Sequence, residues 1–99
     1  MSSVKLPKPI SFNWDKGNVT KNWDRHKISQ KECEEIFFNR ELILLKDIKH
    51  SQKEARYIAL GVTRDRKKLY IVFTIRNLNI RIISARNQSK KERKLYEKR

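Results

Sequence analysis

The sequence has few of the residues that form disulfides and metal sites, and it has no long apolar run. It contains one cysteine, two histidines and two glycines. A single cysteine, Cys33, cannot form an internal disulfide, and this suits a reducing compartment. Together with His26 and His50 it gives no zinc-site spacing. Since no stretch of about 18 apolar residues occurs, the sequence predicts neither a membrane span nor a signal peptide. We therefore expect a cytoplasmic protein without metal or cofactor.

Negative charge is also scarce. The chain has 25 Lys and Arg against 11 Asp and Glu, a net charge of +14. Residues 63–99 alone hold 13 Lys and Arg against 3 Asp and Glu. Such a field attracts polyanions, of which phosphate backbones are the commonest, so the predicted function involves nucleic acid. The alternative is a basic surface that serves only solubility.

Apolar residues make up 37% of the chain and occur in patterned runs, which indicates a folded domain rather than disorder. The length fits one domain over residues 1–99, with residues 1–9 as an irregular lead-in. Residues 10–14 alternate apolar and polar, which predicts a short strand. Val19, Trp23 and His26 share one face of a predicted helix over residues 16–26, and this gives His26 a structural role.

A capping box marks the start of the second predicted helix. Ser29 and Glu32 have the spacing at which each side chain satisfies the other's backbone N–H. The helix is predicted to end near Asn39 and to bury Cys33 and Ile36. Cys33 is therefore interpreted as a small core residue rather than a reactive thiol.

After Arg40 the apolar period changes to that of strands, with candidates at residues 42–45, 55–63, 69–76 and 80–86. Their short connections imply an antiparallel meander, because a parallel crossover needs a dozen or more residues. Ser89 and Glu92 form a second capping box that opens a basic C-terminal helix. The element order predicts an α+β domain: two N-terminal helices packed on an antiparallel sheet of four to five strands, plus a C-terminal helix.

Cleavage of RNA without a metal requires a base, cations for the phosphorane and an acid. His50 and Glu54, in and after a polar loop, are candidates for proton transfer; His50 could equally bond to Asp47 or to backbone. Tyr96 on the C-terminal helix could stack on a base or donate its phenolic proton, or it could pack beside Leu95.

Three arginines, Arg76, Arg81 and Arg86, project from neighbouring predicted strands and suit bidentate contact with phosphate. Pairing with carboxylates is the alternative, but residues 63–99 contain only three, so an outside anion is expected. We expect the three guanidinium groups to converge on one ribose–phosphate link. Further candidates for RNA binding are Arg56, Lys90, Lys91 and Arg93, although the run at residues 90–94 could simply be a solvated helix face.

The chain also contains an ordered set of short sequence strings that together match a known pattern, although no single string is diagnostic. They are Phe12–Asp15, Asn22–His26, Glu34–Phe38, Lys49–Ser51 with Glu54 and Arg56, Ala59–Gly61, Val72–Arg76, Arg81–Arg86 and Glu92–Glu97. Over residues 10–97 the chain resembles the BrnT-type toxins of the RelE-like superfamily. It departs from them at Lys27, where many relatives have glycine, and at Asn87, where an acidic residue often follows the arginine.

The resemblance implies a RelE-like fold and a toxin of a type II toxin–antitoxin system. Such a toxin would be an endoribonuclease that cleaves mRNA, on or off the ribosome, and inhibits translation. A BrnA-like ribbon-helix-helix antitoxin would neutralise it, and operator DNA would be bound only through that complex. Arg86 and Tyr96 loosely match the late arginine and C-terminal tyrosine of RelE-like nucleases. The alternative is a decayed toxin, a basic module that binds nucleic acid or antitoxin without catalysis.

Overall fold

A computed structural model describes residues 4–18, 26–50 and 53–98, without the side chain of His50. Within these residues the chain forms a four-stranded sheet with helices before and after it. The elements are helix α1 (Gln30–Ile36), strand β1 (Ile43–Lys46), a 3₁₀ turn (Ile48–His50), strands β2 (Tyr57–Val62), β3 (Lys68–Arg76) and β4 (Asn79–Asn87), and helix α2 (Lys90–Glu97). The predicted α+β class is confirmed.

The sheet has the order β1-β2-β3-β4, and every neighbouring pair is antiparallel. The predicted meander is therefore confirmed. A two-residue turn joins β3 to β4, and both its residues, Asn77 and Leu78, have positive φ, at 50° and 65°. Two positive φ values give the turn a twist that matches the flanking strands.

The strand predicted at residues 10–14 is wrong. This segment makes one isolated parallel bridge, between Phe12 and Ile80. The Asn13 N–H donates to the Ile80 carbonyl at 2.8 Å, and pairing then stops because the chain turns away. The Asn18 side chain closes that turn, accepting from the Asp15 N–H at 2.7 Å.

Both predicted capping boxes are present, at Ser29 with Glu32 and at Ser89 with Glu92. Helix α1 is shorter than predicted, since it ends at Ile36 with Phe37 as its C-cap. Asn39 lies beyond it in a turn, where its side chain accepts from the Glu41 N–H at 2.8 Å. An asparagine that bonds to nearby backbone in this way favours turns over helix.

The helix predicted over residues 16–26 is described only at its ends, where residues 16–18 and His26 are helical. Val19 and Trp23 lie outside the described residues. His26 is exposed, so its predicted place on an apolar face is wrong. It comes directly before Lys27, whose φ of 57° turns the chain out of the helix.

The core lies between α1 and one face of the sheet, which we call the inner face. Its largest fully buried side chain is that of Phe73 on β3, and Cys33 and Ile36 reach it from α1. Leu69 and Ile71 are also fully buried and share the inner face with Phe73. The strand predicted at residues 69–76 is thus confirmed, with alternate residues on its two faces.

The opposite, outer face owes its composition to a β-bulge. The register between β3 and β4 shifts at Val72/Phe73, so that Arg81 lies opposite Thr74 and Arg86 opposite Tyr70. In a regular strand, residues five apart point to opposite faces. The extra residue in β4 brings Arg81 and Arg86 to the same face. Arg76, two residues beyond Thr74 on β3, shares it.

Candidate functional site

The arginines of the outer face lie in two clusters. The hairpin cluster comprises Arg76, Arg81, Glu54 and Asp15, and the helix cluster comprises Arg86, Glu92 and Tyr70. Arg76 is six residues from Tyr70 along β3, about 20 Å at the usual rise of a strand, and Arg86 lies opposite Tyr70. The expected convergence of all three guanidinium groups on one phosphate is therefore wrong.

In the hairpin cluster, Glu54 binds Arg76 in a bidentate pair. Arg76 Nε donates to Glu54 Oε2 at 2.7 Å, and Nη2 donates to Oε1 at 3.0 Å. The hydrogen bond from Arg76 is the main cause that lowers the pKa of Glu54, and the positive charges of Arg76, Arg56 and Arg81 lower it further. Glu54 is therefore ionised at neutral pH, and a carboxylate of low pKa is a weak general base.

Arg81 in the same cluster is held by the N-terminal segment. Its Nη1 lies 3.0 Å from Asp15 Oδ2 and donates to Asn13 Oδ1 at 3.1 Å. The bond from Arg81 is the main cause that lowers the pKa of Asp15. Residues before the sheet thus orient an arginine of the outer face.

The helix cluster fixes Arg86 from two sides. Arg86 Nη1 and Nη2 donate to Glu92 Oε1 and Oε2, both at 2.8 Å. Arg86 Cζ lies 4.0 Å from the centroid of the Tyr70 ring. A cation over an aromatic face is stabilised by about 0.5–2 kcal/mol, depending on exposure. The Glu92 bond is the main cause that raises the pKa of Arg86, so the guanidinium stays charged.

The expectation that these arginines need an outside anion is wrong, because each has a carboxylate within the chain. The count in residues 63–99 missed Glu54 and Asp15, which the fold brings from earlier in the sequence. The pairs are only partly buried: the Arg76 side chain is 51% exposed and the Arg86 side chain 39%. Pairs at such exposure are worth about 0–1 kcal/mol, so a phosphate can compete with them.

Arg76 and Arg86 also keep donors for a further anion. Arg76 bonds Glu54 through Nε and Nη2, and Arg86 bonds Glu92 through Nη1 and Nη2. Among the described residues, none accepts from Arg76 Nη1 or from Arg86 Nε. Because a guanidinium has five N–H donors in fixed directions, each arginine can bind its carboxylate and a phosphate oxygen together.

The predicted tyrosine is a buried residue. Tyr96 is 3% exposed, and burial raises the pKa of its hydroxyl. Leu95, beside it on α2, is 55% exposed. The packing interpretation of Tyr96 thus agrees with its burial, although the partner predicted for it faces solvent.

The remaining predicted residues lie on α2, directly before β2 and in the 3₁₀ turn. Lys90 and Lys91 are exposed on the first turn of α2. Arg93 is exposed too, and its Nη1 donates to the Gln88 carbonyl at 2.9 Å, which ties it to the start of the helix. Arg56 is half-buried and close enough to Glu54 to lower its pKa. His50 ends the 3₁₀ turn, and its side chain lies outside the described part of the structure.

Tyr70 is the residue of these clusters that sequence reasoning missed. The period of two in a strand is a signal that could have found it, because Tyr70 and Arg76 are six residues apart on β3 and therefore share a face. Its contact with Arg86 depends on the bulge, which changes the cross-strand partner of every residue beyond it.

Within residues 4–18, 26–50 and 53–98, no helix has both the length and the apolar character that crossing a membrane requires. The same residues contain no group of three or more His, Cys, Asp or Glu side chains that could hold a metal ion.

Comparison with known proteins shows a family match that covers both clusters. A family model described as "Ribonuclease toxin, BrnT, of type II toxin-antitoxin system" matches residues 14–92, about four-fifths of the chain. No curated protein matches the sequence. The matched region contains Glu54, Arg76, Arg86 and Glu92, so both clusters fall within it. A family of this kind implies an RNA substrate and an antitoxin partner. The chain belongs to the BrnT family of ribonuclease toxins of type II toxin–antitoxin systems.

Proposed function

We propose that this protein is a metal-independent endoribonuclease that binds RNA across the outer face and inhibits translation by cutting it. The family gives the class of reaction. The observation that carries the location is the β-bulge, which brings Arg81 and Arg86 to the face of Arg76. Because Arg76 and Arg86 lie about 20 Å apart at the rise of a strand, the outer face suits an extended RNA segment with several phosphates, not a single phosphate.

Arg86 would stabilise the charge that develops on the scissile phosphate, using the donor that Glu92 does not occupy. Arg76 would hold another phosphate of the same strand. Arg56, Arg81, Lys90, Lys91 and Arg93 would add contacts to the backbone, which are strong and independent of sequence. These contacts would position the RNA without selecting a base.

Proton transfer falls first to His50, whose side-chain type titrates near neutral pH. Glu54 and Tyr96 are less suited, since Glu54 is bound to Arg76 and Tyr96 is buried. In this assignment Glu54 serves mainly to orient Arg76.

A cognate antitoxin would neutralise the toxin by covering the outer face. A BrnA-like ribbon-helix-helix protein fits the resemblance, and it would connect the pair to operator DNA. The charge of +14 favours an acidic segment of the antitoxin. Leu45, which is 37% exposed on the outer side of β1, offers apolar contact beside the arginines.

The test of catalysis is cleavage of single-stranded RNA in EDTA, with a parallel translation assay that contains ribosomes. We expect the wild type to cut RNA in at least one assay, and Arg86→Ala to be about 100-fold slower or worse. Arg64→Ala is the matched control, because Arg64 is exposed in the turn between β2 and β3. Both variants should remain folded at the assay temperature, which circular dichroism checks.

RNA that is retarded but stays intact in both assays would overturn the proposal and support the non-catalytic binding module. One observation favours that alternative: Arg76, Arg81 and Arg86 are all already ion-paired. Cleavage that EDTA abolishes would overturn metal independence alone.

Neutralisation is tested by co-expression with a ribbon-helix-helix reading frame next to this gene. We expect the antitoxin to restore growth and to co-purify with the toxin. Arg76→Glu together with Arg86→Glu should weaken co-purification if the antitoxin covers the outer face. Unchanged growth and yield on co-expression would count against the pairing.

A further inference from the structure

Tyr70 and Glu92 enclose the guanidinium group of Arg86. Tyr70 lies opposite Arg86 across β3 and β4, with its ring centroid 4.0 Å from Arg86 Cζ. Glu92 closes the end of the guanidinium with two bonds of 2.8 Å. The ring lies against the guanidinium group and the carboxylate occupies the Nη1/Nη2 edge, where Nη1 also donates to the Asn87 carbonyl at 3.1 Å. The Nε edge is left for a ligand.

We propose that Tyr70 and Glu92 are positioning residues that hold Arg86 in one orientation, with its Nε–H directed at a phosphate of the bound RNA. This inference rests on the proposed function. An arginine side chain loses considerable rotamer freedom when it is fixed. If Tyr70 and Glu92 fix it before RNA binds, less of that entropy is lost in the transition state.

Glu92 connects this arrangement to the C-terminal helix. Its Oε1 accepts from the Ser89 N–H at 2.8 Å as well as from Arg86 Nη1. One carboxylate therefore caps α2 and orients Arg86, so the orientation of the arginine depends on how α2 begins. No other carboxylate among the described residues bonds to Arg86.

The contact of Tyr70 is made by its ring, so the ring and not the hydroxyl should matter. Tyr70→Leu removes the aromatic face, and Tyr70→Phe restores it without the hydroxyl. In the cleavage assay we expect Tyr70→Leu to lower kcat about 10-fold to 100-fold with little change in KM. Tyr70→Phe should recover kcat to within about threefold of the wild type.

Glu92→Gln gives an independent variant, because glutamine also serves at this position of a capping box. It should keep α2 folded yet lower kcat about tenfold, since a neutral amide holds a guanidinium less firmly. Circular dichroism and the unfolding midpoint check that the variants at Tyr70 and at Glu92 are folded.

The orientation can be measured without any activity, from the ¹⁵N-detected Nε–H signal of Arg86, assigned through its absence in Arg86→Ala. We expect slow hydrogen exchange in the wild type and Tyr70→Phe, and exchange at least about fivefold faster in Tyr70→Leu and Glu92→Gln. If the wild type cuts no RNA in either assay, the proposed function fails, while this signal still decides the orientation.

Two results would overturn the inference. One is an Arg86 signal that exchanges equally fast in all four proteins, since Arg86 would then not be held. The other is Tyr70→Phe as impaired as Tyr70→Leu, which would assign the role to the hydroxyl.

Discussion

Gly61 lies directly against Ile36. A Cβ atom placed on Gly61 would come 2.8 Å from the Cβ of Ile36, closer than real Cβ contacts. Because Ile36 is branched at Cβ and fully buried on α1, it cannot rotate away. The missing side chain at position 61 therefore sets how closely α1 approaches β2.

Gly61→Ala should consequently destabilise the protein by about 1–3 kcal/mol, the usual cost of overpacking a core. The measurement is chemical denaturation. Gly17→Ala is the natural control, because its Cβ would meet only the carboxylate Oδ1 of Asp15, at 3.2 Å, and Asp15 is exposed. Equal destabilisation by both changes would show that close packing at Gly61 is not the cause.

The turn between β3 and β4 places a leucine where glycine is favoured. Leu78 has a φ of 65° and is 74% exposed, so it gains little from packing. We expect Leu78→Gly to raise the free energy of unfolding by about 1 kcal/mol, since Asn-Gly is the preferred pair for this turn. Leu78→Ala removes the same exposed side chain but keeps Cβ, and it should give no such gain. A loss of stability with glycine would refute this explanation.

Acid should weaken the contact between α2 and β4. The Arg86 bond is the main cause that lowers the pKa of Glu92 below its ordinary value of 4.5. A carboxyl with a lowered pKa stabilises the fold above its unfolded value, and that contribution is lost as pH falls through the folded value. Tm should therefore fall as pH drops below 4.5, and Glu92→Gln should make this fall shallower.

Glu97→Gln is the control for this pH series. Glu97 lies on the same helix and pairs with Lys68 at 3.3 Å, but its side chain is 60% exposed. The variant should leave the acid branch of the Tm curve nearly as steep as in the wild type. If the two variants flatten the curve equally, the Arg86 pair has no special part in it.

Cys33 should be inert in the folded protein. It is 1% exposed, and desolvation by burial raises the pKa of its thiol to about 12. Since the thiolate is the reactive form, labelling by a maleimide at neutral pH should follow global unfolding. A Cys33→Ala, Phe38→Cys protein should label at once, because Phe38 is 66% exposed. Rapid labelling of native Cys33 would contradict its place in the core.

Much of the fold could be predicted because its signals are local. The two capping boxes need only four residues each, and both were located correctly at Ser29 and Ser89. The alternation along β3 identified its buried face. The segment around Phe12 failed, because its alternation says nothing about the turn that removes it from the edge of the sheet. Lys27 is instructive: its φ of 57° is in the left-handed region that favours glycine, the residue that the resemblance led us to expect there.

The candidate site was less accessible to prediction, since its contacts join distant parts of the chain. Counting carboxylates near Arg76 and Arg81 could not reveal that Glu54 and Asp15 meet them. The bulge at Val72/Phe73 has no strong sequence signal, yet it decides which face Arg86 occupies. The side chains that take part in the candidate site were therefore easier to predict than the residues that each of them contacts.

Each pairing in the sheet joins strands that follow one another along the chain. Residues 63–67 link β2 to β3, and only Asn77 and Leu78 link β3 to β4. Small loops close at little entropic cost, so successive hairpins can assemble quickly, the β3–β4 hairpin first. Under the proposed function, the active fold would thus form soon after the polypeptide leaves the ribosome. An antitoxin would then have to be present already when the toxin is synthesised.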